Sequence, residues 1–353
     1  MRPYQSPGMT LDKDSTSPDQ RKLVLALQED LRALGYIAGG LDGAFGPGTE
    51  QGLESLSYDL MHNNGASSQN DGAAPVAIQA YNKGRIGRMS AALDQPLAEC
   101  LDDLISDPNV PKLPRASDPA AQNADALSAI EAITKPTAPI PFMLAMFVQE
   151  SASRHYQMPT AKNSDDYITL GLDRNDKTNP EHVTSRGYGL GQATLFHHPP
   201  RPDEITALMV DPVANVRAAF SELRLKFNDF VAGPISRAVE RDEEHPNLKL
   251  RICRYAPTDP KYLRDCRNCA RTVSTVQIKQ GTPLYQGSAD TYQTTQYYPS
   301  ANYGDVPDRS QFLCDWPYAA RRYNGEGLNS FHYQTRILVN LTKLPPVQLE
   351  ATS

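Results

Sequence analysis

The first hundred residues combine a helical spacing of leucines with a loop rich in glycine. The repeat at every third or fourth position predicts an amphipathic helix, and its members are Leu23, Leu27, Leu31 and Leu34. Gly35 is placed to end this helix, and the glycines of residues 39–48 predict a tight loop. A second helix is expected from Thr49, and residues 93–105 supply a third. The pattern predicts a small three-helix domain over residues 21–106, preceded by a disordered tail over residues 1–20.

The next segments are separated by prolines. Residues 107–125 hold four prolines among Ser, Asp and Ala, which is typical of a semi-stiff linker. Residues 142–151 are apolar nearly all round and predict a buried helix that ends near Glu150. We therefore predict a mainly α protein with a second, α-rich domain over residues 126–347. Residues about 231–311 form a mixed insertion within that domain.

Composition and charge exclude several classes of function. The 353 residues are 39% hydrophobic and 22% charged, with a net charge of −6, which is typical of a globular chain with room for two domains. A basic block that would indicate nucleic acid is missing. No apolar run approaches the ~20 residues of a membrane helix, so we expect no membrane insertion. The polar start does not resemble a signal peptide, so we expect delivery by a dedicated secretion machine or by phage lysis.

The first domain carries a set of motif positions at characteristic spacing. These positions are Leu27, Gln28, Leu31, Leu34, Gly35, Tyr36, Asp42, Gly43, Phe45, Gly46 and Thr49. In this spacing the segment resembles the peptidoglycan-binding domain of the three-helix type, and it departs from that family after residue 56. The resemblance implies binding to peptidoglycan through Tyr36, Asp42 and Phe45. The alternative is a small helical bundle with a glycine-capped turn and no ligand.

Glu150 is the candidate acid of the second domain. A carboxyl at the end of a buried helix loses hydration, which disfavours its charged form and raises its pKa. A protonated glutamate near neutral pH can donate to a glycosidic oxygen. Taken alone, Glu150 is more typical of a capped or salt-bridged surface residue at a helix end.

Four motifs in order change that balance. They are Glu150 with Ser151, the glycine turn of residues 187–192, Asp211–Asn215 with the helix that follows, and residues 319–325 around Tyr323. Together they resemble the lysozyme-like domain of soluble lytic transglycosylases and goose-type lysozymes. The resemblance implies that Glu150 is the general acid and that Tyr323 lies beside it. It also implies that the substrate-binding residues are Ser151, Gly189, Leu190, Gln192 and Asn324. No cofactor is implied.

The expected reaction is cleavage of the β-1,4 bond between N-acetylmuramic acid and N-acetylglucosamine. A hydrolase that inverts needs a second carboxylate to activate water, and the best candidates are Asp165 and Asp166 in an acid-rich interval. This interval favours a muramidase, and a lytic transglycosylase that forms 1,6-anhydro products is the alternative. A non-catalytic wall-binding protein is a rival. The chain fits a cell-wall lytic effector or an endolysin, acting in the periplasm or cell wall. An effector would imply an immunity protein as a partner.

The cysteines and histidines leave several possibilities open. The four C-terminal cysteines could bind zinc, form one or two disulfides or remain free thiols, and they are Cys253, Cys266, Cys269 and Cys314. Adjacent histidines at His197 and His198 lack a third ligand at a suitable spacing, so they are interpreted as loop residues. We therefore predict no metal.

Overall fold

The computed structural model describes residues 2–133, 135–229, 252–266, 313–324 and 328–344. Helices dominate these residues, and a single small sheet accompanies them, so the predicted mainly α class is confirmed. The helices are α1 Pro18–Ala33, α2 Pro47–His62, α3 Gln95–Ser106, α4 Pro119–Glu131, α5 Ile140–Ser151, α6 Pro202–Glu204 with π-helical turns at Ile205–Val210, α7 Pro212–Phe227, α8 Trp316–Tyr323 and α9 Leu328–Lys343. A 3₁₀ turn spans Ile78–Tyr81.

The sheet is an antiparallel meander. Its strands β1 Leu170–Asp173, β2 Ser185–Tyr188 and β3 Ala193–Leu195 lie in the order β1-β2-β3. Gly171 lies opposite Gly187, and Arg186 lies opposite Leu195. These pairings place two glycines side by side near the turn that leads into β3.

The chain divides into two compact units. The described residues of 1–126 and 154–215 form the first unit, and those of 127–153 and 216–353 form the second. This division differs from the boundary expected at residues 107–125. In the structure, the Leu113 amide donates to the Ala33 carbonyl at 2.8 Å and Val110 is buried, so this proline-rich segment packs within the first unit. Residues 107–118 form no helix, although apolar residues among them are buried, and the last part of the expected linker belongs to α4, which begins at Pro119.

The predicted disordered tail is also packed. The Tyr4 side chain is buried, and its hydroxyl donates to Asp30 Oδ2 at 2.5 Å. Leu11 is buried as well and pairs with Leu93 in an isolated antiparallel bridge. The disorder prediction was wrong for this segment. Its composition is mostly polar, but a few of its side chains, such as Tyr4 and Leu11, are buried.

Local signals fix the start of α1 and the turn that follows it, and α1 begins at Pro18, within the segment that was predicted to be disordered. Ser17 and Gln20 form a reciprocal capping box at the start of α1. Gly43 has a φ of +70°, and a Cβ there would lie 2.7 Å from the Arg21 carbonyl oxygen. Only glycine fits that position, since both the backbone conformation and the space exclude a side chain.

The second unit is built around α5. This helix packs against α9, which also packs against α8. Its apolar residues are mostly buried, as predicted, although Val148 is exposed. Trp316 at the start of α8 is fully buried, and its Nε1 donates to the Ile252 carbonyl at 2.8 Å. Its ring lies 4.2 Å from that of Phe227, so α8 packs against the end of α7 as well as against the segment at Ile252.

Candidate functional site

A buried amide organises the turn between α1 and α2. Gln28 Nε2 donates to Asp42 Oδ1 at 3.1 Å, to the Ala44 carbonyl at 2.9 Å and to Thr49 Oγ1 at 3.2 Å. Its Oε1 accepts from the amides of Asp42 at 3.1 Å and Gly43 at 2.8 Å. Because both ends of one buried side chain are engaged, the turn is held rigidly and presents Asp42 to solvent.

The three predicted wall-binding residues do not share one surface. Asp42 is exposed, whereas Tyr36 and Phe45 are buried. The Tyr36 hydroxyl donates to Asp59 Oδ2 at 3.0 Å, and the Arg186 guanidinium lies over its ring at 5.5 Å. Direct contact with the wall therefore fits Asp42 alone. Tyr36 and Phe45 support the fold, because their apolar rings are more stable in the core than in water.

The glycine turn of residues 189–192 is supported from below by two buried side chains. The Leu190 amide donates to His155 Nδ1 at 3.3 Å, and the Gly191 amide donates to Asn215 Oδ1 at 2.8 Å. Gly189 has a φ of +72°, and a Cβ there would lie 2.6 Å from the His155 ring. The glycine turn and Asn215 at the start of α7 therefore form one hydrogen-bonded unit.

His155 was missed by sequence reasoning. Its ring is completely buried, and Nε2 lies 2.8 Å from the Met209 carbonyl, so Nε2 is the protonated nitrogen and Nδ1 accepts. Burial lowers the pKa of His155 to about 4. The ring is therefore neutral at physiological pH. No motif in the sequence marks this position.

Gln192 folds back across the sheet. Its φ is +49°, and its Nε2 donates to the Gly189 carbonyl at 2.7 Å. The side chain lies where a Cβ on Gly171 or Gly187 would be, so the paired glycines of β1 and β2 make room for it. Gly189 and Leu190 are buried, which leaves Gln192 as the part of this turn that is half-exposed. The predicted contact of Gly189 and Leu190 with substrate is replaced by a supporting role.

The predicted second carboxylates are both held by arginines. Asp165 is 1% exposed, and its Oδ2 lies 3.1 Å from Nε of the fully buried Arg32. Burial raises the pKa of Asp165 and lowers that of Arg32, since each charge has lost its hydration. Asp166 accepts two hydrogen bonds from Arg115, one from Nε at 2.7 Å and one from Nη2 at 3.0 Å. Both guanidinium groups lie over the Tyr167 ring, at 5.4 and 5.0 Å.

These ion pairs argue against catalytic roles for the two aspartates. The Asp165 carboxylate has no exposed surface for a water nucleophile, and its Oδ1 also accepts from the Tyr167 amide at 3.0 Å. Both oxygens of Asp166 are taken by one arginine fork. The acid-rich interval reflects structural pairing, and the partners on distant segments were not recognisable from the sequence.

In the second unit, Glu150 lies on the last turn of α5 and is half-buried. The hydroxyl of Tyr333, on α9, donates to Glu150 Oε1. Burial raises the pKa of Tyr333 well above its usual range, and the Glu150 charge adds to that shift. Burial and the Glu150 charge also raise the pKa of Tyr323, on α8. Both phenols therefore stay protonated, and Tyr333 is a permanent donor to the acid.

The tyrosine that bonds Glu150 is not the one that the sequence indicated. Tyr323 is close enough to Glu150 for the charge to act on it, as the motif implied. The hydroxyl that bonds the carboxylate belongs to Tyr333, which the motif did not indicate. The available signal was the apolar spacing of α9, which could have brought one face of that helix against α5.

The remaining predicted contacts of the second unit divide between core and surface. Ser151 is buried, and its Oγ donates to the Phe147 carbonyl one turn earlier at 3.0 Å. It therefore faces its own helix. Asn324 is exposed at the end of α8, where its backbone amide donates to the Arg322 carbonyl. Asn324 keeps a side chain that a ligand can reach.

The histidines and cysteines have structural contacts. His197 is buried between two carboxylates, with Nδ1 3.0 Å from Asp71 Oδ1 and Nε2 2.8 Å from Glu204 Oε2. Cys100 is buried, and Cys253 Sγ accepts from the Leu263 amide at 3.5 Å. The searched part of the chain contains no group of three or more potential ligands arranged to hold a metal. Cys269 lies outside the described residues, so the zinc and disulfide hypotheses stay predictions.

Comparison with known proteins supports the first part of this interpretation. Residues 20–56 match the family model described as a putative peptidoglycan binding domain. The matched segment contains Gln28 and the Asp42 turn, and it supports an association with the cell wall. No curated protein and no solved structure matches the chain. Among the helices of the described ranges, none is long and apolar enough to cross a bilayer.

Proposed function

We propose that the protein binds peptidoglycan through its first unit and cleaves the glycan strand with Glu150 as the general acid. The bond cleaved is the β-1,4 linkage between N-acetylmuramic acid and N-acetylglucosamine. The observation that carries the proposal is the hydrogen bond from Tyr333 to Glu150 at the end of the apolar helix α5. The family match at residues 20–56 supports the choice of polymer.

Two features support Glu150 as the proton donor, because it ends the apolar helix α5 and it accepts a hydrogen bond from Tyr333. Protonated Glu150 gives its hydrogen to the glycosidic oxygen while the bond from that oxygen to C1 breaks. The Tyr333 hydroxyl orients the carboxyl and stabilises the carboxylate that remains after the proton has left. Tyr333 is buried on α9, so packing limits the orientations that its ring can take.

The pairing of Asp165 and Asp166 bears on the product. A hydrolase that inverts needs a second carboxylate at roughly 6.5–9.5 Å from the acid, with room for water. The two best candidates are occupied by Arg32 and Arg115. A transglycosylase needs no second carboxylate, because the 6-hydroxyl of the muramic acid attacks C1 and Glu150 takes back that hydroxyl's proton. We therefore place the 1,6-anhydro product ahead of hydrolysis.

A turbidity assay on purified cell walls tests the acid. We expect Glu150→Gln to slow clearing by about 10²–10⁴-fold, the range typical of a lost general acid. The matched control is Glu131→Gln, an exposed glutamate of the same unit that should clear at the parent rate. Equal clearing by the parent and Glu150→Gln would overturn the proposal.

Product mass separates the two reactions. An anhydro end is one water lighter than a reducing end, so mass spectrometry of released fragments distinguishes transglycosylase from hydrolase directly. Fragments with reducing ends would restore the muramidase interpretation while leaving Glu150 in its role. They would then require a second water-activating group other than Asp165 and Asp166.

A second candidate is a wall-binding protein without catalysis. The specific observation in its favour is that the matched family is a binding domain and covers residues 20–56. In that case the parent and Glu150→Gln proteins would both sediment with cell walls, and neither would release fragments.

Delivery to competitor cells would add a partner. A producer that injects a wall-cleaving enzyme must protect its own wall, which implies an immunity protein that blocks the acid. A phage lysin needs no such partner. Co-expression with neighbouring open reading frames, scored by rescue from periplasmic toxicity, distinguishes the two routes.

A further inference from the structure

The first unit contains a cleft that no predicted site residue lines. It has a volume of about 210 Å³ and lies between the end of α2, the loop that follows it, and two segments around the sheet. Its lining comes from residues 58–68, 182–186 and 195–198. We call it the Tyr58 cleft. All of these residues lie beyond the segment 20–56 that matches the family model.

The floor of the Tyr58 cleft contains buried polar atoms whose hydrogen bonds are incomplete. Arg186 is 3% exposed, and its Nε donates to the Gly35 carbonyl at 3.1 Å. Its Nη2 lies 3.6 Å from Asp59 Oδ2, and it finds no hydrogen-bond partner among the described residues. Buried donors are nearly always satisfied in folded proteins, so the fold leaves this part of the cleft wall polar and incompletely bonded.

His198 adds a second atom of this kind. Its Nδ1 is buried and finds no hydrogen-bond partner in the described part of the chain. Burial lowers the pKa of His198 well below its usual range, so the ring is neutral. The floor of the cleft therefore contains the Arg186 guanidinium and the neutral His198 ring, both of which are polar.

The mouth of the cleft is aromatic. The half-buried Tyr58 ring stacks on His182, with centroids 4.9 Å apart and planes inclined by 21°. On its other side it meets the exposed His62 ring at 4.6 Å. Hydroxyl and amide groups flank these rings, namely Ser67, Ser68, Thr184, Asn63 and Asn64. The combination of a flat aromatic surface with many short polar side chains suits an amphipathic ring that carries hydroxyls.

Charge distinguishes between the two components of peptidoglycan. The stem peptide presents carboxylates, and these would need an unopposed cation. Arg186 already faces Asp59, and Asp71 lies close behind His197, at 3.0 Å from that ring. These carboxylates disfavour a second anion in the cleft. The glycan strand presents neutral N-acetylated sugars, which match the charge balance.

We propose that the Tyr58 cleft binds one neutral N-acetylated amino-sugar residue of a glycan strand. The volume is smaller than the ~300–1,000 Å³ of pockets for drug-sized ligands, and it corresponds to a single ring. One face of the sugar lies against the Tyr58 ring, and its hydroxyl and N-acetyl groups bond the exposed polar side chains of the rim, Asn64 and Ser68. The inference shares the polymer with the proposed function, and it does not require Glu150 to be an acid.

Calorimetric titration with tri-N-acetylglucosamine tests the site in the full chain carrying Glu150→Gln, which prevents turnover. We expect saturable binding by this parent and a loss of about tenfold in affinity for Tyr58→Ala. Tyr58→Trp should retain affinity within about threefold, because an indole also offers a flat face. Tyr81→Ala removes a half-buried tyrosine elsewhere in the unit and should stay within about twofold.

Several outcomes would overturn the inference. They are equal affinity for the parent and Tyr58→Ala, no binding of the trisaccharide by the parent, and a Tyr58-dependent response to free stem peptide in place of the sugar. Thermal melts of each variant separate misfolding from lost binding, and Tyr58→Trp repeats the test if Tyr58→Ala does not fold. Failure of the proposed function would be seen in the turbidity assay alone, and failure of this site in the titration alone.

Discussion

The carboxylates that the sequence marks as catalytic candidates are held by different chemistry in the two units. In the first unit, Asp165 and Asp166 are paired with arginines. In the second, the Glu150 carboxyl accepts from the neutral hydroxyl of Tyr333. An arginine fixes a carboxylate in its charged form, whereas a phenol orients a carboxyl and still lets it exchange a proton. Carboxylates that look equivalent in a sequence thus meet different donors in the fold, and in the proposed function only Glu150 acts as an acid.

The largest expected effect comes from removing one partner of the buried pair. Asp165→Ala leaves the Arg32 charge buried without its carboxylate, and we expect unfolding free energy to fall by about 3–5 kcal/mol. Urea titration of the full chain measures it. Asp19→Ala is the matched control, because its pair with Lys22 is fully exposed to solvent and should cost under about 0.5 kcal/mol.

Two results would contradict the structural role of Asp165. A loss below about 1 kcal/mol for Asp165→Ala would show that the pair is not a structural anchor. Undiminished stability together with slower wall clearing would return Asp165 to the catalytic role that the sequence suggested.

Acid should destabilise the protein through a buried group that is kept neutral. The pKa of His155 falls from 6.5 to about 4 on folding, a difference of about 3 kcal/mol. Between these values the unfolded chain binds more protons than the folded one, so this stability is present above pH 6.5 and is lost as pH falls towards 4. The ring-proton chemical shift of His155 and urea midpoints at pH 7, 5.5 and 4.5 measure it.

Removing the buried ring supplies the control for the acid effect. His155→Gln should abolish the part of the pH dependence of the urea midpoint that this ring causes. A His155 ring that titrates near pH 6.5 in the folded protein would contradict the prediction. It would also show that the His155 ring, which accepts from the Leu190 amide of the glycine turn, can become charged.

Local features were predictable from the sequence, and long-range pairings were not. The leucine spacing, the capping residues and the glycine turn specify α1 and the start of α2 within a short stretch of chain. The position of Glu150 at the end of a buried helix follows in the same way. By contrast, Arg32 meets Asp165 across 133 residues and Tyr333 meets Glu150 across 183. Such partners depend on how helices pack, which periodicity does not report.

Removing the Tyr333 hydroxyl tests what its hydrogen bond contributes to the proposed role of Glu150. We expect Tyr333→Phe to lower the rate of wall clearing by about tenfold with little change in the affinity for walls, because the bond orients the acid in the reaction. Tyr255→Phe is the matched control. It removes a tyrosine–carboxylate bond of 2.6 Å to Asp265 in the same unit and should leave the rate unchanged.

Equal rates for Tyr333→Phe and the parent would mean that Glu150 needs no orienting donor. Equal losses for Tyr333→Phe and Tyr255→Phe would instead indicate a general loss of stability in the second unit. Thermal melts of both variants decide between these outcomes, since each is expected to lose only about 1 kcal/mol.

The smallest effect concerns a third kind of carboxylate, one that is exposed and bonded to its own turn. Asp42 Oδ1 accepts from the Ala44 amide at 2.9 Å and from Gln28 Nε2 at 3.1 Å. Asp42→Ala should cost about 1 kcal/mol of stability and weaken sedimentation with cell walls. Asp94→Ala loses a comparable bond, to the Leu97 amide at 3.1 Å at the start of α3, and should cost as much without affecting sedimentation. Equal sedimentation of the two variants would place the wall contact elsewhere, because stability would then be the only property that the Asp42 carboxylate supports.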